Sequence, residues 1–255
     1  MHRPIAKSLL FAALLCVMLS ACQSAPASSE DTASPSPSPT AAATATPSPE
    51  PSSASSEEPS SSPSETGDAS NACFENSAFV GNSMLEDLDM FGIIDNADFY
   101  AKTGLTVTSV FEESTVDGSQ PIMDEVTSQN YDKVFLMFGL NELGWSYSDV
   151  FVEDYGKIID TFQEKCPDTE IYVQSLFPVS KERSDQNLYG VTNDRIVEYN
   201  NLLKQLAEEK GVHYVDVYSA MVTEDGTLED SASPDGVHPN MEYCETWVEY
   251  LREHC

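Results

Sequence analysis

The feature that most limits the possible folds is the alternation of short apolar runs with helical patterns across residues 77–255. The apolar runs are SAFVG at 77–81, ADFYA at 97–101, DKVFLMFG at 132–139, EIYVQSLFP at 170–178 and HYVDVY at 213–218. Their β-branched and aromatic residues predict strands. Periodic patterns at 152–165 and 194–210 predict helices, and we expect a closing helix at 242–255. Strands alternating with helices predict an α/β fold, with a parallel sheet covered by helices on both faces.

The first 21 residues have the pattern of an export signal. His2, Arg3 and Lys7 form a basic start, and the apolar stretch Ser8–Leu19 is shorter than an ordinary transmembrane helix. The sequence LSAC resembles a bacterial lipobox, which implies cleavage before Cys22 and attachment of a diacyl lipid to its thiol. The lipid would anchor the protein in the cell membrane, on the extracellular face. A plain secretory signal with an incidental cysteine is the alternative.

Residues 22–71 predict a disordered tether that begins at the lipidated cysteine. They are almost wholly Ser, Pro, Ala, Thr and Glu, with no apolar period. Such a composition buries too little surface to offset the entropy of ordering, and its prolines favour extended chain. Residues 72–255 then form one globular domain, held away from the membrane by the tether.

The charge of the chain excludes several kinds of partner. There are 43 Asp and Glu residues against 12 Lys and Arg, which gives a formal net charge of −31 at pH 7. So acidic a protein is not expected to bind nucleic acid or to dock on anionic lipid by its surface. No EF-hand spacing predicts a calcium site, and no Cys/His cluster predicts zinc or redox chemistry. We therefore expect neither a metal nor a cofactor, and we expect a monomer.

Four cysteines remain in the domain, at Cys73, Cys166, Cys244 and Cys255. Four thiols allow three complete pairings, and their spacing does not choose among them. Cys244 and Cys255 fall in one predicted helix, too far apart along its axis to bridge each other. If bridges form, we expect Cys73 to tie the start of the domain to its C-terminal helix.

Polar residues follow the first three predicted strands, at the sheet edge where parallel α/β folds bind ligands. In VGNSM, Gly81 allows a tight turn and Ser83 begins a helix, either as an exposed nucleophile or simply as its N-cap. Gly104 follows the second strand and can bring its N–H close to a ligand. In GLNE, Asn141 offers the uncharged amide that an oxyanion hole needs, and Glu142 is expected to structure the loop.

The stretch SASPDGVHPN follows the last strand and contains one of only four histidines. Asp235 and His238 are three residues apart, in a turn imposed by two prolines and a glycine. A carboxylate beside an imidazole fixes its tautomer and stabilises the imidazolium formed during catalysis. These two residues are therefore the candidate orienting acid and general base, and a surface turn is the plain alternative.

The four segments together resemble the blocks of the SGNH hydrolase, or GDSL-type esterase, family. The resemblance implies a three-layer α/β/α sandwich with a five-stranded parallel sheet of the flavodoxin-like kind. It implies a catalytic triad of Ser83, Asp235 and His238, and an oxyanion hole from the N–H groups of Ser83 and Gly104 with the Asn141 side chain. The family usually has aspartate before its nucleophile. Here that residue is Asn82, which keeps the size and loses the charge.

The resemblance implies a serine esterase that forms an acyl-enzyme. The expected substrate is a small acyl ester, above all an acetyl group on a glycan. An O-acyltransferase is one alternative, and a surface binding lipoprotein with little or no turnover is another. The polar stretch 178–190 is expected to be a long loop at the rim of the site. Trp145, Tyr147 and Tyr189 form either a sugar platform or packing, and Arg183 or Arg195 either meets an anionic substrate or forms a surface ion pair.

Overall fold

The computed structural model describes residues 69–116 and 118–255. The predicted signal peptide, the lipidation site at Cys22 and the tether up to residue 68 lie outside the described residues. The described part opens with a 3-10 helix, Ala69–Phe74, whose first three residues belong to the segment that the sequence assigned to the tether. Asn71 in this helix is buried, and its side-chain oxygen accepts a hydrogen bond from Arg252 at 2.7 Å.

Five parallel strands form one sheet in the order β2-β1-β3-β4-β5. Their bounds are β1 Ser77–Gly81, β2 Ala97–Ala101, β3 Lys133–Met137, β4 Glu170–Gln174 and β5 His213–Val215. The sequence prediction of a five-stranded parallel sheet is confirmed. Because all strands run the same way, their carboxyl ends share one edge, and the loops after β1, β2 and β3 meet there.

In the described part of the chain, seven α-helices connect and flank the strands. They are α1 Ser83–Phe91, α2 Ile122–Val126, α3 Ser148–Lys165, α4 Lys181–Gln186, α5 Asn193–Lys210, α6 Val217–Met221 and α7 Met241–Arg252. Shorter 3-10 turns occupy Ser109–Phe111, Leu188–Gly190 and Asp230–Ala232. Within the described ranges, no helix is both long enough and apolar enough to cross a bilayer.

Successive strand residues point to opposite faces, and each face has its own apolar core. Val134 and Leu136 of β3 pack in the core that includes α3 and α5, whereas Phe135 and Met137 pack in the core that includes α1 and α7. Phe79 of β1 stacks between Phe99 and Phe135 of the neighbouring strands. The two cores confirm the three-layer sandwich, because helices cover both faces of the sheet.

The two ends of the described domain are joined by a disulfide between Cys73 and Cys255, with the Cα atoms 6.2 Å apart. This agrees with the expected link from the domain start to the C-terminal helix, although Cys255 lies three residues past the end of α7. Cys166 and Cys244 are free thiols, and Cys244 is buried.

Several predicted boundaries differ from the structure. The strand predicted at 213–218 ends at Val215, and Val217–Met221 forms α6 instead. The strands predicted at 132–139 and 170–178 end at Met137 and Gln174. The polar stretch 178–190 is not wholly a loop, because it contains α4, whose first turn is capped by Ser180.

Candidate active site

Ser83, His238 and Asp235 form a hydrogen-bonded chain at the carboxyl edge of the sheet. The Ser83 Oγ lies 2.9 Å from Nε2 of His238, and Nδ1 of His238 lies 2.7 Å from Oδ2 of Asp235. Ser83 begins α1 directly after β1, and the other two residues lie in the loop before α7. The structure thus brings the three side chains together, although Ser83 and His238 are 155 residues apart in the sequence.

The turn from β1 into α1 explains why Ser83 is available. Asn82, not Ser83, is the N-cap, and its side-chain oxygen accepts the Met84 N–H at 3.1 Å. The alternative that Ser83 serves as the helix cap is therefore wrong. A Cβ at Gly81 would collide with the carbonyl oxygen of Met137 on β3, so only glycine allows this close approach.

Asn82 is fully buried, which gives its amide a physical role. A carboxylate at this position would have to bury a charge, whereas the amide caps the helix without that cost. Its Nδ2 donates to no described group, so the cap uses only the oxygen. With asparagine at position 82 in place of the family's usual aspartate, Ser83 and His238 are in hydrogen-bond contact.

Asp235 is held in place through both oxygens. While Oδ2 faces His238, Oδ1 accepts hydrogen bonds from the backbone N–H groups of Val237 and His238 and from the hydroxyl of Ser233, each at 2.9 Å. Partial burial raises the pKa of Asp235, but these hydrogen bonds outweigh it and hold the pKa well below its usual range. The carboxylate is therefore ionised and fixed against the imidazole. Ser233 was not predicted from the sequence, although it lies two residues before Asp235.

The two other predicted oxyanion residues line the same cleft as Ser83. Gly104 follows β2 with φ of 79°, a conformation that disfavours a side chain, and its N–H makes no backbone hydrogen bond to any described residue. The Asn141 amide donates one hydrogen bond to the carbonyl of Leu105 at 2.8 Å. This bond ties the loop after β3 to the loop after β2.

Glu142 also links the loop after β3 to the loop after β2. It is fully buried, its Oε1 accepts the Val107 N–H at 2.8 Å, and its Oε2 accepts the Gly139 N–H at 3.1 Å. The expectation that Glu142 structures the loop is confirmed. Burial raises the pKa of Glu142 to about 7, although the backbone hydrogen bonds oppose this shift.

The cleft around these residues has a volume of about 560 Å³. Its remaining walls come from Thr103, Leu140, Arg183, Tyr189, Val191 and Val237. Trp145 and Tyr147, predicted as parts of a sugar platform, do not line it. Arg195 is also absent, because its guanidinium donates to the carbonyls of Leu143 and Trp145 and pairs with Glu198.

Within residues 69–116 and 118–255, no group of three or more His, Cys, Asp or Glu side chains is arranged to hold a metal ion.

Several solved structures share the fold. A Streptococcus pneumonia protein provisionally described as a platelet activating factor has 21% identity and a TM-score of 0.57, over 71% of this chain and 83% of that one. A GDSL-like lipase from Bacteroides thetaiotaomicron has 14% identity and a TM-score of 0.54, over 70% and 86%. A catalytic mutant of an acetylxylan esterase from Geobacillus stearothermophilus has 15% identity and a TM-score of 0.53, over 70% and 93%.

The sequence itself matches a family profile. Residues 89–243, more than half of the chain, match the GDSL-like Lipase/Acylhydrolase family. The matched segment contains Gly104, Asn141, Asp235 and His238 and begins after Ser83. No curated protein sequence matches the chain. The structural similarities show the fold, and the profile shows the family: the chain belongs to the GDSL-like lipase/acylhydrolase (SGNH hydrolase) family.

Proposed function

We propose that this protein is a serine esterase that hydrolyses small acyl esters through Ser83, His238 and Asp235. The observation that carries the proposal is the continuous hydrogen-bonded chain from Ser83 Oγ through the imidazole to the Asp235 carboxylate, with contacts of 2.9 and 2.7 Å. Membership of an acylhydrolase family supports the same reaction class.

In the proposed reaction, each group has one role. His238 Nε2 takes the proton from Ser83 Oγ, which attacks the carbonyl carbon of the ester. The carbonyl oxygen becomes an oxyanion, and the N–H groups of Ser83 and Gly104 with the Asn141 amide stabilise it. When the bond to the alcohol breaks, His238 returns the proton to the departing alcohol. Asp235 remains ionised throughout and stabilises the imidazolium.

The resulting acyl-enzyme is cleaved by water. His238 Nε2 now takes a proton from the water, and the hydroxide attacks the acyl carbonyl carbon. Collapse of the second tetrahedral intermediate breaks the bond to Ser83 Oγ, which regains its proton from the imidazolium. The carboxylic acid leaves, and the enzyme returns to its starting state.

We propose an acetyl group on a carbohydrate as the natural substrate. The cleft has a volume of about 560 Å³, which suits a short acyl group on a larger alcohol. One of the proteins with a similar fold is an acetylxylan esterase, and this supports the choice among possible esters.

We also propose that the protein acts at the outer face of the cell membrane, anchored by a diacyl lipid on Cys22. The pattern of the first 22 residues supports this location. Incorporation of labelled palmitate into the chain, and its loss in Cys22→Ser, is the expected result. Labelling that persists in the variant would contradict the anchor.

The catalytic proposal is tested by hydrolysis of p-nitrophenyl acetate, butyrate and octanoate. We expect the acetate ester to be cleaved fastest, and Ser83→Ala to reduce release of nitrophenol to background. Ser128→Ala, at an exposed serine that does not line the cleft, is the matched control and should retain full activity. A fluorophosphonate probe should label the wild type and not Ser83→Ala. Absence of both labelling and turnover in the wild type would refute the proposal and favour a binding protein.

A further inference from the structure

Arg183 is an unpaired cation in the wall of a catalytic cleft. Seven lysine and arginine side chains of the described residues form ion pairs with carboxylates. Arg183 has no such partner among the described residues, and its guanidinium makes only a long hydrogen bond of 3.5 Å to the Leu188 carbonyl. The guanidinium has five N–H donors, so most of them remain available to a ligand.

The absence of a partner is notable because Arg183 shares a surface pocket with the acidic residues Glu182, Asp230 and Asp235. Two of these carboxylates have other hydrogen-bond donors, since Glu182 accepts from Gln186 and Asp235 accepts from His238. In a chain of net charge −31, a cation left free at this point is not explained by surface ion pairing.

The position of Arg183 is fixed relative to the catalytic residues. The N–H of Ser180, the cap of α4, donates to the Gly236 carbonyl at 2.8 Å. Gly236 also packs closely against the stem of Arg183, since a Cβ added there would lie 3.1 Å from the Arg183 Cβ. Because Gly236 stands between Asp235 and His238, α4 is fastened directly to the catalytic loop.

We infer that Arg183 determines specificity, and that its guanidinium binds an anionic group on the alcohol part of the ester. The inference rests on the proposed function, in which the acyl group is small and the alcohol fills the rest of the cleft. A carboxylate or a phosphate matches the planar fork of the guanidinium. The remainder of the protein repels anions, so a local cation is needed to admit such a substrate.

The adjacent residue Tyr189 guides the choice of probe. Its side chain lines the same cleft as Arg183 and is 87% exposed, so its aromatic face is available to a sugar. The probes are therefore acetyl esters of three sugars that differ only in one group: methyl glucoside, methyl glucuronoside and methyl glucoside 6-phosphate. The first is neutral, the second carries a carboxylate and the third carries a phosphate.

The test compares kcat/KM for acetate release from the anionic and neutral esters. We expect the full chain to prefer at least one anionic ester, and Arg183→Gln to lower that preference by about ten- to a hundredfold, the scale of hydrogen bonds to a charged group. Arg183→Lys should retain part of it, because it keeps the charge but loses the fork. The better of the two anionic esters identifies the group as carboxylate or phosphate.

Lys204→Gln is the matched control, because it removes an exposed cation of α5 that lies outside the cleft and also has no ion pair with any described residue. It should leave the preference unchanged. A wild-type enzyme that cleaves all three esters equally, or an Arg183→Gln variant that keeps the preference, would overturn the inference while leaving the esterase intact.

A binding measurement separates this inference from the catalytic proposal. Calorimetry with Ser83→Ala and the same three uncleaved esters should show tighter binding of an anionic ester, lost in Ser83→Ala/Arg183→Gln. If the wild type hydrolyses none of the esters, the proposed function fails, but the binding measurement still decides whether Arg183 binds an anionic group. Equal binding of the neutral and anionic esters would refute it.

Discussion

Glu142 makes the stability of this protein depend on pH in a direction opposite to that of most carboxylates. Its side chain is fully buried and accepts hydrogen bonds from the N–H groups of Val107 and Gly139. The perturbation is Glu142→Gln, which keeps the shape and removes the titrating proton. The variant also loses one acceptor, since its NH₂ must face one of the two N–H groups, but that loss does not vary with pH.

The magnitude follows from the pKa of this carboxyl group. Burial raises the pKa of Glu142 to about 7, against an ordinary value of 4.5 in the unfolded chain. Between these values the unfolded chain has released the proton while the folded protein keeps it, so stability falls as pH rises. At about 1.4 kcal/mol per pH unit, the free energy of unfolding of the wild type falls by about 3 kcal/mol relative to the variant. Above the folded pKa the difference becomes constant.

The assay is urea unfolding from pH 4.5 to 8, followed by the fluorescence of the buried Trp247. The free energies of the wild type and Glu142→Gln are compared at each pH, so that all other titrating groups cancel. Glu164→Gln, at an exposed position on α3, controls for the loss of one negative charge. A difference between wild type and Glu142→Gln that stays flat, or grows in favour of the wild type as pH rises, would refute the reasoning. It would mean that the backbone donors stabilise the ionised carboxylate more than burial penalises it.

Three further outcomes are expected. Asn141→Ala should lower kcat/KM by about a hundred- to a thousandfold, the usual cost of one oxyanion donor, and a variant that folds and keeps wild-type turnover would remove this residue from the site. Gly81→Ala should lower the unfolding free energy by about 1–3 kcal/mol through its collision with the Met137 carbonyl, and an unchanged melting temperature would contradict that packing. Cys73→Ser/Cys255→Ser should cost about 2–5 kcal/mol in urea unfolding, and an unchanged urea midpoint would argue against the bridge.

The elements that bury an apolar stripe were predictable from the sequence. Helices α3 and α5 show the 3.6-residue period, and the strands are short β-branched and aromatic runs. Helix α4 could not be found in this way, because none of its residues is buried and its sequence has no apolar period. Helix α6 continues the apolar run of β5, and an apolar run alone does not distinguish a buried strand from a buried helix.

The candidate site was predictable only in part. Ser83, Asp235 and His238 were identified from their residue types and their resemblance to a family, and the loops after parallel strands gave their common location. The sequence could not show whether Arg183 or Arg195 is available to a substrate, because this depends on which guanidinium forms hydrogen bonds within the fold. Arg195 donates hydrogen bonds to the carbonyls of Leu143 and Trp145, which lie about 50 residues earlier in the sequence.

The bridge between Cys73 and Cys255 also has a mechanical consequence. Tension applied to the chain ahead of Ala69 would otherwise reach β1 at Ser77 and peel it from β2 and β3. With the bridge closed, the load passes at Cys73 into the C-terminal end of the chain, four residues before it can reach that strand. The turn that carries Ser83 follows β1 directly, so we expect pulling on the amino-terminal segment to leave Ser83 undisturbed until α7 itself gives way.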